Sequence, residues 1–174
     1  MALQVWAGKT RSGSPLCGPD IAKCQVVGLP GVAFSVDILA SPPPPGGFDG
    51  YNVRIQYAGN IAIQDQTGNT ENLWDDITDE ATECSEPAES PGFYRLLCFK
   101  STINPNSFDT ELANVQFTCT GSGSITILGG AGDASTVSFF IDYPFNPFIN
   151  VKGDSLQVNC TTPTATATPT STPT

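Results

Sequence analysis

The chain has 174 residues, of which 7 are basic, 17 acidic and none histidine, for a net charge of −10. So acidic a chain would repel a phosphate backbone and an anionic membrane, and no stretch reaches the ~18 apolar residues of a membrane span. Without histidine, Ser-His-Asp and Cys-His chemistry are ruled out, and no Gly-rich phosphate loop follows a strand, so a non-catalytic protein is expected.

From the N-terminus, Met1-Ala-Leu-Gln-Val-Trp6 lacks the basic and apolar regions of a signal peptide. A short strand is expected over Cys24–Val27. Val32, Phe34, Val36 and Ile38 then alternate with Ala33, Ser35 and Asp37. Past the turn-rich segment Pro42–Gly50, Tyr51, Val53, Ile55 and Tyr57 alternate with Asn52, Arg54 and Gln56. This period of two places one apolar face on a core and one polar face on solvent, so Tyr51 and Tyr57 read as core. Ile61–Ile63 is a further strand candidate, and a turn of helix fits at most within Leu73–Ala81. Phe93–Phe99 follows. Val115, Phe117 and Cys119 alternate next, then come Ser124–Leu128 and Thr136–Ile141, and Leu156, Val158 and Cys160 close the pattern. Turns are expected at Asn104–Ser107, Gly121-Ser122-Gly123, Gly129–Asp133 and Tyr143–Asn150. About nine short strands punctuated in this way predict an all-β, antiparallel sandwich over residues 2–160. Residues 161–174, TTPTATATPTSTPT, hold only Thr, Pro, Ala and Ser and read as an extended disordered linker.

The cysteines are Cys17, Cys24, Cys84, Cys98, Cys119 and Cys160. An even count without histidine or a Cys-x-x-Cys pair favours disulfides over zinc, and hence an oxidising, extracellular or cell-surface setting. Sequence leaves the connectivity open. The most economical pairing is Cys17–Cys24, Cys84–Cys98 and Cys119–Cys160. Asn159-Cys160-Thr161 fits the glycosylation pattern, but a bonded cysteine at its centre makes a poor acceptor.

Two clusters could bind a ligand. Glu71–Glu89 holds eight of the 17 acids and no basic residue. Asp75, Asp76, Asp79 and Glu80 within it could hold Ca²⁺ through oxygen ligands, though the spacing is not that of an EF-hand, and a solvated acidic loop is the plainer interpretation. Trp74, Tyr143, Phe145 and Phe148 lie in expected loops and are the aromatic candidates for stacking on a sugar. Coplanar exposed rings would favour a carbohydrate-binding module. A flat polar sheet face with a few apolar anchors would favour a protein partner.

Three segments carry a family resemblance. Gly31-Val-Ala-Phe-Ser-Val-Asp-Ile-Leu39, Gly47-Phe-Asp-Gly-Tyr-Asn-Val-Arg-Ile-Gln-Tyr57 and Glu111-Leu-Ala-Asn-Val-Gln-Phe117, closed by Ser155–Cys160, resemble strands of cohesin domains. The likeness spans roughly residues 24–160. It implies a nine-stranded jelly-roll sandwich, shared with some carbohydrate-binding modules, that serves as a non-catalytic scaffolding module with a dockerin-like or surface protein as partner. The chain departs from the family in Ala58-Gly59, where Asp-Pro is usual after the tyrosine, in its six cysteines and in the acidic insertion Glu71–Glu89. The Thr/Pro tail resembles linkers of secreted multidomain bacterial proteins. Polysaccharide binding and a structural or self-assembling surface subunit are the alternatives to be tested.

Overall fold

The computed structural model describes residues 3–7, 25–64, 70–71, 82–100, 110–132, 136–142 and 146–160. Among them are eleven strands and no helix. They are β1 Leu3–Ala7, β2 Gln25–Gly28, β3 Ala33–Ala40, β4 Gly50–Ile63, β5 Thr70–Glu71, β6 Thr82–Ser90, β7 Phe93–Lys100, β8 Thr110–Ile127, β9 Phe139–Asp142, β10 Asn146–Asn150 and β11 Asp154–Cys160. One hydrogen-bonded network joins them all. Every pair is antiparallel except β2 beside β11.

The period-two segments form the strands because each buries one row. Val36, Ile38 and Ala40 of β3, Tyr51, Val53, Ile55 and Tyr57 of β4, and Leu96 and Cys98 of β7 share one core with Val115, Phe117, Ile125, Leu156 and Val158. Phe48 and Phe140 meet at 4.5 Å, and Tyr57 stands edge-on to Phe117 at 5.8 Å.

Two long strands turn this network into two layers. The first half of β4 pairs with β7 on one side and, at residues 50–52, with β9 on the other. From Ile55 onward its partner is β8. Arg54 sits at the switch. Its N–H donates to Ser138 Oγ at 2.9 Å, and its carbonyl accepts from Leu128 N–H at 2.9 Å. A buried hydroxyl thus stands in for a ladder partner where the sheets part, as an unsatisfied buried amide would be costly. The layers are tied again by Tyr51, whose hydroxyl donates to Leu112 O at 3.1 Å and lies 3.1 Å from Cys98 Sγ. Leu112 is the extra residue of a bulge, since Ile38 pairs with Ala113 and Leu39 with Glu111. The bulge turns Leu112 inward beside buried Ala113.

Four expectations change. Gly121-Ser122-Gly123 is not a turn, because β8 runs through it. The expected strands Val115–Cys119 and Ser124–Leu128 are therefore one, bulged where Asn60 of β4 faces three residues of β8. Ile61–Ile63 likewise continues β4. The turn expected over Tyr143–Asn150 contains β10, and the end of the acidic segment forms β6, paired with β7. The Cys84–Cys98 bond joins directly opposed residues of β6 and β7, and Cys119–Cys160 fastens the end of β11 to β8. Cys17 and Cys24 lie outside the described residues, as does all of Leu73–Ala81.

Candidate functional site

Among the described residues, the outer face of β7, β4, β9 and β10 gathers three exposed large apolar side chains, Phe93, Phe99 and Phe148, while Leu29 and Val32 are exposed in the turn between β2 and β3. On β7 burial alternates strictly. Tyr94, Leu96 and Cys98 point into the core, leaving Phe93, Arg95, Leu97 and Phe99 outside. Phe93 is 40% and Phe99 39% exposed, high values for large apolar side chains. The facing row of β4 is Gly50, Asn52, Arg54 and Gln56, paired with Phe99, Leu97, Arg95 and Phe93. Gly50 suits its place because a Cβ there would stand 2.7 Å from Cys98 O and 3.0 Å from Phe99 Cβ. On the other side, β9 adds Ile141 opposite Gly50 and Phe139 opposite Asn52.

An apolar band therefore crosses the sheet from Leu97 and Phe99 over Gly50 to Ile141 and Phe139. Beside it stand Arg54 and Arg95, directly opposed, two of the 7 basic residues in the chain. Arg95 leans onto Asn52, with Nε donating to Oδ1 at 2.6 Å, and Asn52 Nδ2 donates to Val137 O at 3.1 Å. Apolar area with aromatic and arginine anchors is the composition of a protein–protein interface core.

Phe148, expected as a stacking residue, lies on β10 and is 57% exposed. Its ring stands edge-on to Phe139, 5.0 Å away at 84°. The two rings do not make the flat platform that stacking on a sugar face needs. Phe93 and Phe99 cannot supply it together either, since six residues of strand separate them by about 20 Å. Trp74, Tyr143 and Phe145 lie outside the described residues, and so do the calcium candidates Asp75, Asp76, Asp79 and Glu80. Among the described residues no group of three or more His, Cys, Asp or Glu side chains could hold a metal ion.

A second surface feature is a shallow trough of about 410 Å³ where β4, β8 and β11 run side by side, lined by Gly59, Ser122, Gly123, Gln157 and Asn159 among others. Its polar groups partly satisfy one another, with Ser122 Oγ donating to Asn159 Oδ1 at 3.1 Å. It has neither charge nor an exposed large apolar side chain, so the β7–β4–β9–β10 face is the stronger site. Sequence periodicity placed Arg54 and Gln56 on an outward face. It gave no sign of the apolar outer row of β7, because Phe-Tyr-Arg-Leu-Leu-Cys-Phe is apolar on both phases.

No protein-family model and no curated protein sequence matches the chain. Solved structures do. The cohesin module of a Clostridium perfringens family 33 glycoside hydrolase superposes with a TM-score of 0.57 at 11% identity, over 92% of this chain and 97% of that one. The cohesin of a Clostridium thermocellum OlpC complex with a dockerin gives 0.57 at 14% identity, over 92% and 95%. The third cohesin of Acetivibrio cellulolyticus ScaC, in complex with the ScaB dockerin, gives 0.56 at 15% identity, over 91% and 98%. Identities this low speak to the fold, and by fold the chain is a cohesin-like β-sandwich.

Proposed function

We propose that the chain is a non-catalytic protein–protein interaction module, and that it holds its partner on the outer face of β7, β4, β9 and β10. The observation that carries this reading is the band of Phe99, Leu97, Gly50 and Ile141 with Arg54 and Arg95 at its border. Two structural neighbours of the same fold are complexes with dockerins, which makes a dockerin-like module or another surface protein the first partner to try. Two disulfides suit work in an oxidising compartment, outside the cell or on its surface. Thr161–Thr174 would then act as a tether to a neighbouring domain.

The test is surface plasmon resonance of the full chain against a panel of dockerin modules and cell-surface proteins, beside a Leu97→Asp/Phe99→Ser variant. Micromolar or tighter binding that weakens at least a hundredfold in the variant, with the variant's melting temperature held, is the expected result. Binding that ignores the variant would move the site elsewhere. Retention on polysaccharide with no protein partner would replace the reading with a carbohydrate-binding one.

A further inference from the structure

Asn52 and Arg95 form an arrangement that sheet formation does not require. Asn52 stands in the outer row of β4, yet it is fully buried. Its amide is used at both ends, by Val137 O and by Arg95 Nε. A guanidinium carries five N–H donors. The bond to Asn52 takes the one on Nε and fixes the plane of the fork, leaving four on the two Nη groups. Asn52 is thus the side chain that holds the Arg95 guanidinium. Along the same side of β7 it is flanked by Phe93 and Leu97, and Arg54 stands opposite. Two guanidinium groups therefore face one another across β4 and β7, while on the far side of β7 the edge strand β6 sets Ala88 opposite Arg95 and Glu83 opposite Phe99.

A partner that covers this face takes the guanidinium out of water. A neutral contact would leave that charge uncompensated, which is costly, whereas a carboxylate matches the fork in both charge and geometry. The bond to Asn52 holds the fork in place before binding, so little side-chain freedom remains to be lost.

Resting on the reading of this face as the partner surface, we infer that the partner's contacting segment presents a carboxylate to the Nη groups of Arg95, between apolar side chains that seat on Leu97 and Phe99. The test is selection of displayed random peptides on the full 174-residue chain, followed by affinity measurement of the enriched sequences. The expected consensus has Asp or Glu flanked by apolar residues. Its binding should fall at least tenfold on Arg95→Leu, fall substantially on Arg95→Lys, which keeps the charge but not the fork, and fall at least tenfold when the peptide's own acid becomes an amide. That last change needs no variant protein to fold. Peptides that depend on Leu97 and Phe99 but tolerate both Arg95→Leu and the amide would overturn the acidic-partner inference and leave the interface reading standing. Peptides indifferent to every change on this face, or no enrichment at all, would overturn both.

Discussion

At the scale of single residues, the polar groups that matter most are those that burial would be expected to exclude. Asn52, Ser138, Asp37 and Asp49 are all buried. Ser138 has a definite task, since its Oγ accepts the Arg54 N–H and, at 3.4 Å, lies within reach to donate to the Arg54 carbonyl. Ser138→Ala should lower stability by about 1–3 kcal/mol, the cost of a buried donor stripped of its partner. Denaturant unfolding should show a lower midpoint with an unchanged slope, and the Arg54 amide should exchange faster with solvent. An unchanged midpoint would mean that water enters the gap between the sheets and replaces the hydroxyl. None of this was legible in the sequence. Alternation placed Asn52 on the polar, solvent side of β4, and the side is right, but alternation says nothing about what covers a face. Phe139 beside it and the Arg95 guanidinium leaning across turn a surface position into a buried one.

Strands are where the sequence was most and least informative. Phe34–Ile38, Tyr51–Tyr57 and Leu156–Cys160 announced themselves by rows that pack on a single core, whereas Val32, expected on the first of those rows, lies before β3 and is 54% exposed, and Asp37 of the expected polar row is buried. Glycine misled, since it marks either a turn or a bulge. Gly59 has φ +84°, and a Cβ on it would stand 2.6 Å from Ser122 O. It therefore belongs to a bulge that lets β4 and β8 pass closely and continue as single strands. β6 was missed because its apolar content is low and Pro87 interrupts it, as suits an edge strand. The two disulfides among the described residues act at this scale and differ in reach, with sequence separations of 14 and 41. Loop entropy in the unfolded chain assigns about 3 kcal/mol to the shorter and about 4 kcal/mol to the longer. Replacing Cys119 and Cys160 by Ser should thus lower the melting temperature more than replacing Cys84 and Cys98, and also free β11 and β2 to exchange their amides early. The reverse order in calorimetry would show that the β6–β7 edge depends on its cross-link more than loop length suggests.

The whole molecule was legible as a sandwich because the sum of its alternating segments leaves no other way to bury them. The family resemblance in Gly31–Leu39, Gly47–Tyr57 and Glu111–Phe117 agrees with the structural likeness to cohesins. The number of strands was not legible, since it depends on which glycines turn and which bulge. The same scale bears on how the module is attached. Every core residue of the described chain falls between Val36 and Cys160, and Cys160 ends β11 bonded to Cys119. Thr161–Thr174 begins one residue later, and its composition of Thr, Pro, Ala and Ser is that expected of a linker. Deleting it should leave the melting temperature unchanged and leave affinity for any partner of the β7–β4–β9–β10 face unchanged as well. Scanning calorimetry of residues 1–160 beside the full chain checks the first, and the plasmon resonance assay checks the second. A fall of about 2–4 °C, which at this size corresponds to roughly 1 kcal/mol, would mean that the tail packs on the sandwich beside β11 and does not act as a tether. Lost affinity at an unchanged melting temperature would instead make the tail part of the binding surface.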